Sequence, residues 1–186
     1  SNKENKHTLL KVLGVTAVAG ASAYAGAGYY VFRNAFDLQN SRFLQKCGSS
    51  MQLPLLQMER NEWFAHSNRF DDFIDSYDGL KLHALRIVNQ EDSHKWIIIQ
   101  HGIASYSGTL LEHMWEADHR GFNILAPDAR GYGMSEGKYT GLGWCEHFDL
   151  ISWINYLVNL DPLAEIVLFG MNVGAASVMN AVGDYL

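Results

Sequence analysis

The chain has 186 residues, of which 48% are apolar, 12% aromatic and 18% charged. This composition excludes a disordered charged tail, a collagen-like chain and a disulfide-rich scaffold. The net charge is −6, but residues 1–33 hold four basic residues against one acidic residue. The rest of the chain is therefore strongly acidic, which argues against nucleic acid as a partner. Two distant cysteines and no convincing histidine spacing predict neither a metal site nor a cofactor.

The first distinctive segment is an uncharged run of 21 residues over 12–32, with lysines before it and Arg33 directly after it. About 20 apolar residues span a bilayer, so the run predicts a transmembrane anchor preceded by a cytoplasmic basic tail over 1–11. The lysines would stay inside, which places the chain beyond residue 33 on the outer face of a cell membrane.

Two other interpretations of this segment stay open, because alanine and glycine make it only weakly hydrophobic. Residues 21–23 read Ala-Ser-Ala, which fits the cleavage site of a secretory signal and predicts a secreted protein. A buried helix of a globular domain is the third interpretation. Residues 33–69 then predict a juxtamembrane region with one or two short helices, a turn at 48–50 and an interruption at Pro54.

From residue 70 to residue 186 the pattern predicts alternating strands and helices. Two period-two runs flank Asp78-Gly79, which favours a hairpin. Short apolar runs then predict buried strands, and amphipathic stretches between them predict helices. The predicted strands are 70–77, 81–88, 96–100, 122–126 and 166–169, and the predicted helices are 108–120, 144–160 and 174–182. The expected fold class is α/β, a mostly parallel sheet with helices on both faces.

Three loops follow buried strands, at the edge where open α/β sheets place their sites. They are His-Gly-Ile at 101–103, Asp-Ala-Arg-Gly-Tyr-Gly-Met-Ser at 128–135, and Gly-Met-Asn-Val-Gly at 170–174. The last loop has the strand–turn–helix context and the two glycines of a nucleophile elbow, G-x-S-x-G.

This ordered set of loops resembles the α/β-hydrolase superfamily. The segment Gly-Leu-Gly-Trp at 141–144, with Glu146 and Asp149 after it, is similar to a bacterial, membrane-anchored branch related to serine aminopeptidases and esterases. The resemblance covers residues 71–186, which correspond to the N-terminal portion of the fold, truncated after the elbow and its helix. It implies hydrolysis of an ester or amide by acyl transfer.

Asn172 occupies the position of the nucleophilic serine. A carboxamide nitrogen has a delocalised lone pair and cannot replace an activated hydroxyl. Asparagine does, however, tolerate the positive φ that an elbow requires. An engineered inactivation, a natural pseudoenzyme and deamidation to an aspartate nucleophile are the open explanations.

The resemblance also implies roles for the surrounding residues. The backbone N–H groups of Val173 and Ile103 would form the oxyanion hole. The remaining residues would shape the loops, with an Asp–Arg pair fixing the turn after the second buried strand. These structural residues are His101, Gly102, Asp128, Arg130, Gly170 and Gly174.

The catalytic acid and the histidine of the family follow later strands, and no histidine of this chain occupies the expected place. His83 is expected to be satisfied on a strand or to face the surface, and His113, His119 and His147 are expected on the surface. The last buried strand, 166–169, should form an unpaired apolar edge. The chain by itself is therefore expected to aggregate or to pair with another chain that completes the sheet, as either a fragment whose remainder is missing or half of a two-piece assembly.

The sequence thus predicts a membrane-anchored serine hydrolase that is inactive as it stands, because Asn172 replaces the nucleophile and the acid and the histidine are missing. The substrate of an active full-length enzyme would be a small acyl ester or a peptide-like molecule. The alternative is a non-catalytic, membrane-tethered binding or scaffold protein. Fold alone cannot choose between them.

Overall fold

The computed structural model describes residues 2–41 and 54–185. The helices are α1 (Asn2–Phe36), α2 (Pro54–His66), α3 (Leu111–His119), α4 (Trp144–Leu160) and α5 (Val173–Tyr185). The strands are β1 (Arg69–Asp75), β2 (Lys81–Ile87), β3 (Lys95–Gln100), β4 (Asn123–Pro127) and β5 (Glu165–Gly170), and a 3₁₀ turn covers Ser107–Thr109.

The five strands form one sheet in the order β1-β2-β4-β3-β5. The predicted hairpin joins β1 to β2, and Gly79 adopts a φ of 85° in its turn. β2 pairs antiparallel with β4, whereas β3 pairs parallel with both β4 and β5. The sheet is therefore mixed, because the hairpin adds antiparallel strands to a parallel β4-β3-β5 unit.

Helices cover both faces of the sheet, as predicted. One buried cluster lies between the sheet and α4 and α5, and it includes Leu125, Trp153 and Leu157. The other lies between the sheet and α3, with Ile99 and Met114 at its centre. Side chains alternate along β2, so Leu82 joins the first cluster and Leu85 the second.

The strands and the last helix differ from their predicted bounds by one to three residues, and two other elements differ for a physical reason. Pro54 begins α2 rather than interrupting a helix, because the first helical position does not need a backbone N–H. The helix predicted over 108–120 is a 3₁₀ turn followed by α3, which ends before Gly121 at a φ of 83°. The turn predicted at 48–50 lies outside the described residues.

The N-terminal segment predicted as an anchor is helical. Every side chain from residue 18 to residue 34 is exposed. Among the residues that the structure describes, no helix combines the length and the apolarity that a membrane crossing requires. The physical reason is the predominance of alanine and glycine, which bury little apolar surface per residue.

The predicted exposed edge is present at β5. Within the described chain β5 pairs only with β3, and Val167 and Phe169 remain 46% and 38% exposed. The expectation that another chain completes the sheet stays a prediction.

Candidate functional site

The turn between β5 and α5 has the backbone of a nucleophile elbow. Asn172 adopts a φ of 53°, which confirms the positive φ expected there. A Cβ on Gly170 would overlap the carbonyl group of Gly174, and a Cβ on Gly174 would overlap the carbonyl oxygens of Gln100 and His101. Both glycines are therefore required by the close approach of the elbow to its neighbours.

The side chain of Asn172 is exposed, and its Oδ1 accepts a hydrogen bond of 2.7 Å from the backbone N–H of Val173. This N–H group is one of the two donors that the resemblance assigns to an oxyanion hole. In this conformation the N–H group of Val173 already donates its hydrogen bond to the carboxamide oxygen of Asn172. Asn172 therefore preserves the shape of the elbow, and its carboxamide offers no nucleophilic atom.

The loop after β3 packs directly against the elbow. A Cβ on Gly102 would lie 3.0 Å from Cβ of Asn172 and 3.1 Å from the carbonyl oxygen of Met171, so a side chain here would push the two loops apart. The cavity beside Ile103 and Val173 has a volume of about 10 Å³. That volume suits about one water molecule.

His101 is held in one tautomer. Its Nδ1–H donates to the carbonyl oxygen of Gly102 at 2.7 Å, and its Nε2 accepts the backbone N–H of Ala129 at 2.8 Å. Burial lowers the pKa of His101 below its ordinary value. With both nitrogens occupied and the ring neutral, His101 connects the loops after β3 and β4 and has no nitrogen left to act as a base.

Asp128 and His83 form a buried pair at the end of β4. His83 Nδ1 lies 2.7 Å from Oδ2 of Asp128, and its Nε2 lies 3.0 Å from Oδ1 of Asp71. Burial would lower the pKa of His83, but the hydrogen bonds to the two carboxylates outweigh it and raise this pKa. Because a carboxylate accepts hydrogen bonds, contact of both ring nitrogens with carboxylates favours the protonated imidazole.

The carboxylate of Asp128 also organises the backbone around it. It accepts the N–H groups of Ser107 at 2.7 Å and of Met134 at 2.9 Å. Burial would raise the pKa of Asp128, but its hydrogen bonds with His83, Ser107 and Met134 lower it overall. Asp128 therefore joins β2, the 3₁₀ turn and the loop after β4.

Asp128 and Arg130, which were expected to fix this turn, do not bind each other. The Arg130 guanidinium binds Asp149 through two hydrogen bonds of 2.7 Å and reaches Asp78 at 2.8 Å. Burial would lower the pKa of Arg130, but these two carboxylates raise it. Each residue of the expected pair has a partner from a distant segment, which the sequence spacing of the loop does not reveal.

The prediction that His147 lies on the surface is also wrong. It is fully buried, and its Nε2 lies 2.9 Å from Oδ2 of Asp184. His113 is half-buried, with its ring centroid 5.5 Å from that of Phe169, and His119 is exposed as expected. Across residues 2–41 and 54–185, no group of histidine, cysteine and carboxylate side chains is arranged to hold a metal ion.

The sequence did not predict a cleft of about 910 Å³ beside the hairpin. Its wall includes His83 and Asp71, together with Phe64, Tyr106 and Met134. The period-two pattern of β2 could have indicated that His83 is buried, since it places His83 on the same face as the buried residues Leu85 and Ile87.

Comparisons with known proteins agree with this geometry. The profile of the family described as "Serine aminopeptidase, S33" matches residues 91–186. The chain therefore belongs to this family, which lies within the α/β-hydrolase superfamily. A search of curated protein sequences gave no significant match.

Several solved esterases share the fold. The esterase Pf2001 from Pyrococcus furiosus is 26% identical with a TM-score of 0.58, and the match covers 72% of this chain and 50% of the esterase. Est1E from Butyrivibrio proteoclasticus, solved with ferulic acid, is 26% identical with a TM-score of 0.55, covering 61% of this chain and 47% of Est1E. The chain thus spans about half the length of these structures.

Proposed function

We propose that the chain is part of a serine hydrolase that cleaves an ester or amide by acyl transfer, and that Asn172 makes it catalytically silent. The esterase-like class is supported by the family match and by the solved esterases. The observation that carries the finer proposal is the elbow, where a residue at a φ of 53° lies beside the N–H of Val173.

Each residue of the elbow has a definite part in this proposal. Residue 172 is the position from which a hydroxyl would attack the carbonyl carbon of the substrate. The N–H groups of Val173 and Ile103 would then stabilise the developing oxyanion. Asn172 supplies no such nucleophile, and its Oδ1 competes with the oxyanion for Val173. The substrate would be a small acyl ester or a peptide-like amide.

The test is Asn172→Ser in the full-length gene, assayed with p-nitrophenyl acetate and butyrate. We expect hydrolysis to rise above that of the parent protein by at least about a hundredfold, because a nucleophile replaces the carboxamide. Asn172→Ala is the matched control: it also frees the N–H of Val173 but supplies no nucleophile. A folded Asn172→Ser protein no more active than Asn172→Ala would refute the proposal.

A non-catalytic binding or scaffold function is the second candidate. The hydrogen bond between Asn172 and Val173 favours this candidate, because the bond holds the carboxamide in one conformation at the elbow. This candidate predicts that Asn172→Ser leaves hydrolysis unchanged, whereas Asn172→Ala weakens the binding of a partner.

The outer face of a cell membrane stays the predicted location. The lysines before residue 12 and the exposed side chains over 18–34 support it, and the low hydropathy of the segment does not. Fractionation of the native cells tests this prediction: we expect the protein in the membrane pellet after a salt wash, and recovery in the soluble fraction would contradict it.

A further inference from the structure

The end of α1 is joined to the loop between β4 and α4. We propose that residues 36–41, which we call the clasp, are a positioning element for the elbow. The clasp holds the loop over 131–143, and this loop in turn supports the first turn of α5, where Val173 lies. The clasp precedes residues 91–186, the part that the family profile matches.

Backbone hydrogen bonds form the first connection. Asp37 and Tyr139 make an isolated antiparallel bridge. The N–H of Leu38 donates to the carbonyl oxygen of Lys138 at 3.2 Å, and the N–H of Thr140 donates to that of Phe36 at 3.1 Å. The clasp is therefore paired with the loop in the manner of a short strand.

The carboxylate of Asp37 fixes the shape of the clasp. Asp37 is only 2% exposed, and it accepts the N–H groups of Gln39 at 3.1 Å and Asn40 at 3.2 Å and the side-chain amide of Asn40 at 3.0 Å. Its Oδ2 also lies 3.8 Å from Nζ of Lys138, on the loop. A buried carboxylate needs such partners, so Asp37 ties the turn of the clasp to the loop.

Side-chain packing strengthens the connection at two further points. Leu38 packs against Gly131, where any Cβ would overlap its Cδ1 and where the φ of 78° favours glycine. The rings of Phe32 and Tyr139 lie with their centroids 5.4 Å apart. Gly131 thus provides the space into which the clasp fits.

Glu146 links the loop to the start of α4. Its Oε1 accepts the hydroxyl of Thr140 at 2.9 Å and the N–H of Gly141 at 2.7 Å, and its Oε2 accepts the N–H of Gly143 at 2.8 Å. Thr140 is the same residue whose N–H is bound by the clasp. The backbone from the clasp to Gly143 is therefore held by a continuous set of hydrogen bonds.

Gly143 connects the loop to α5, the helix that follows the elbow. A Cβ on Gly143 would lie 2.7 Å from Cβ of Ala176 and 3.2 Å from the carbonyl oxygen of Val173, so the loop lies directly against the first turns of α5. The side-chain amide of Asn180 also donates to the carbonyl oxygen of Gly143 at 3.3 Å. Thr140, Glu146 and Val173 line the same small cavity.

Amide hydrogen exchange on the intact chain tests this proposal with the variant Asp37→Ala. We expect exchange to become roughly tenfold faster at Gly141 and Gly143 and also at Gly174 to Ala176, because local opening of the loop releases the start of α5. Exchange at Leu85 and Ile87 in β2, which pair with β1 and β4 rather than with the loop, should stay unchanged. Asp37→Asn keeps an acceptor oxygen and should restore most of the protection.

Three further variants separate positioning from loss of stability. Asn34→Ala removes a side chain that donates only to the carbonyl oxygen of Tyr30, and it should change nothing in the loop. Ile87→Val weakens the core and should not accelerate exchange selectively at the loop and α5. Leu38→Ala replaces Asp37→Ala as the test if the latter does not fold.

Acceleration confined to residues 36–41, or spread evenly over the chain, would overturn the proposal. Exchange does not depend on hydrolysis, so an inactive Asn172→Ser protein leaves this test intact.

Discussion

The elbow and the loop after β4 lie at the same edge of the sheet, yet their side chains differ in kind. At the elbow the backbone of Asn172 has a positive φ, and its exposed carboxamide accepts a hydrogen bond from the neighbouring N–H of Val173. After β4 the buried carboxylate of Asp128 binds groups from three separate segments. The shape of the elbow and of the loop beside it therefore depends on closely packed glycines and buried pairs rather than on the side chain at position 172.

We expect the largest loss of stability from Gly174→Ala, in the elbow. The new Cβ would overlap the carbonyl oxygens of Gln100 and His101, and we expect unfolding to become easier by about 3 kcal/mol. Chemical denaturation measures this change. Gly183→Ala in the same helix is the control, since no atom lies within 4 Å of its Cβ, and it should stabilise the chain by about 0.5–1 kcal/mol. Equal effects of the two substitutions would show that the elbow is not tightly packed.

Asp128→Ala should have the next largest effect. It leaves the buried imidazole of His83 without its closest partner, which costs about 3 kcal/mol, at the lower end of the range for broken buried pairs. Asp71→Ala removes the other partner, whose side chain is 62% exposed, and should cost less than about 1 kcal/mol. A larger loss for Asp71→Ala than for Asp128→Ala would contradict the assignment of the buried pair.

The smallest expected effect is on the pH dependence of stability. The pKa of His83 is raised, so its stabilising contribution is complete below the ordinary value of about 6.5 and is lost as the pH rises through the raised pKa. The pKa of Asp128 is lowered, so its contribution is present above about 3.9 and is lost as the pH falls through the lowered pKa. His83→Gln should remove the alkaline decline of the melting temperature. If the melting temperature of His83→Gln still falls at alkaline pH, a group other than His83 causes the decline.

The sequence predicted the parts of the molecule that depend on neighbouring residues. The short apolar runs located the buried strands, and the spacing of Gly170 and Gly174 located the elbow, including the positive φ of Asn172. The partners of Asp128 and Arg130 could not be predicted, because they come from residues 45 and 52 positions away along the chain. The clasp was missed for the same reason, because Asp37 pairs with Tyr139, 102 positions further along the chain.

The central claim is that the elbow is shaped for catalysis and silenced by one side chain. Covalent labelling of the full-length protein with a fluorophosphonate, followed by peptide mapping, tests it most directly. We expect Asn172→Ser to be labelled at position 172, and the parent protein and Asn172→Ala to remain unlabelled. Labelling of the parent protein elsewhere in the site, or no labelling of a folded Asn172→Ser protein, would contradict the claim.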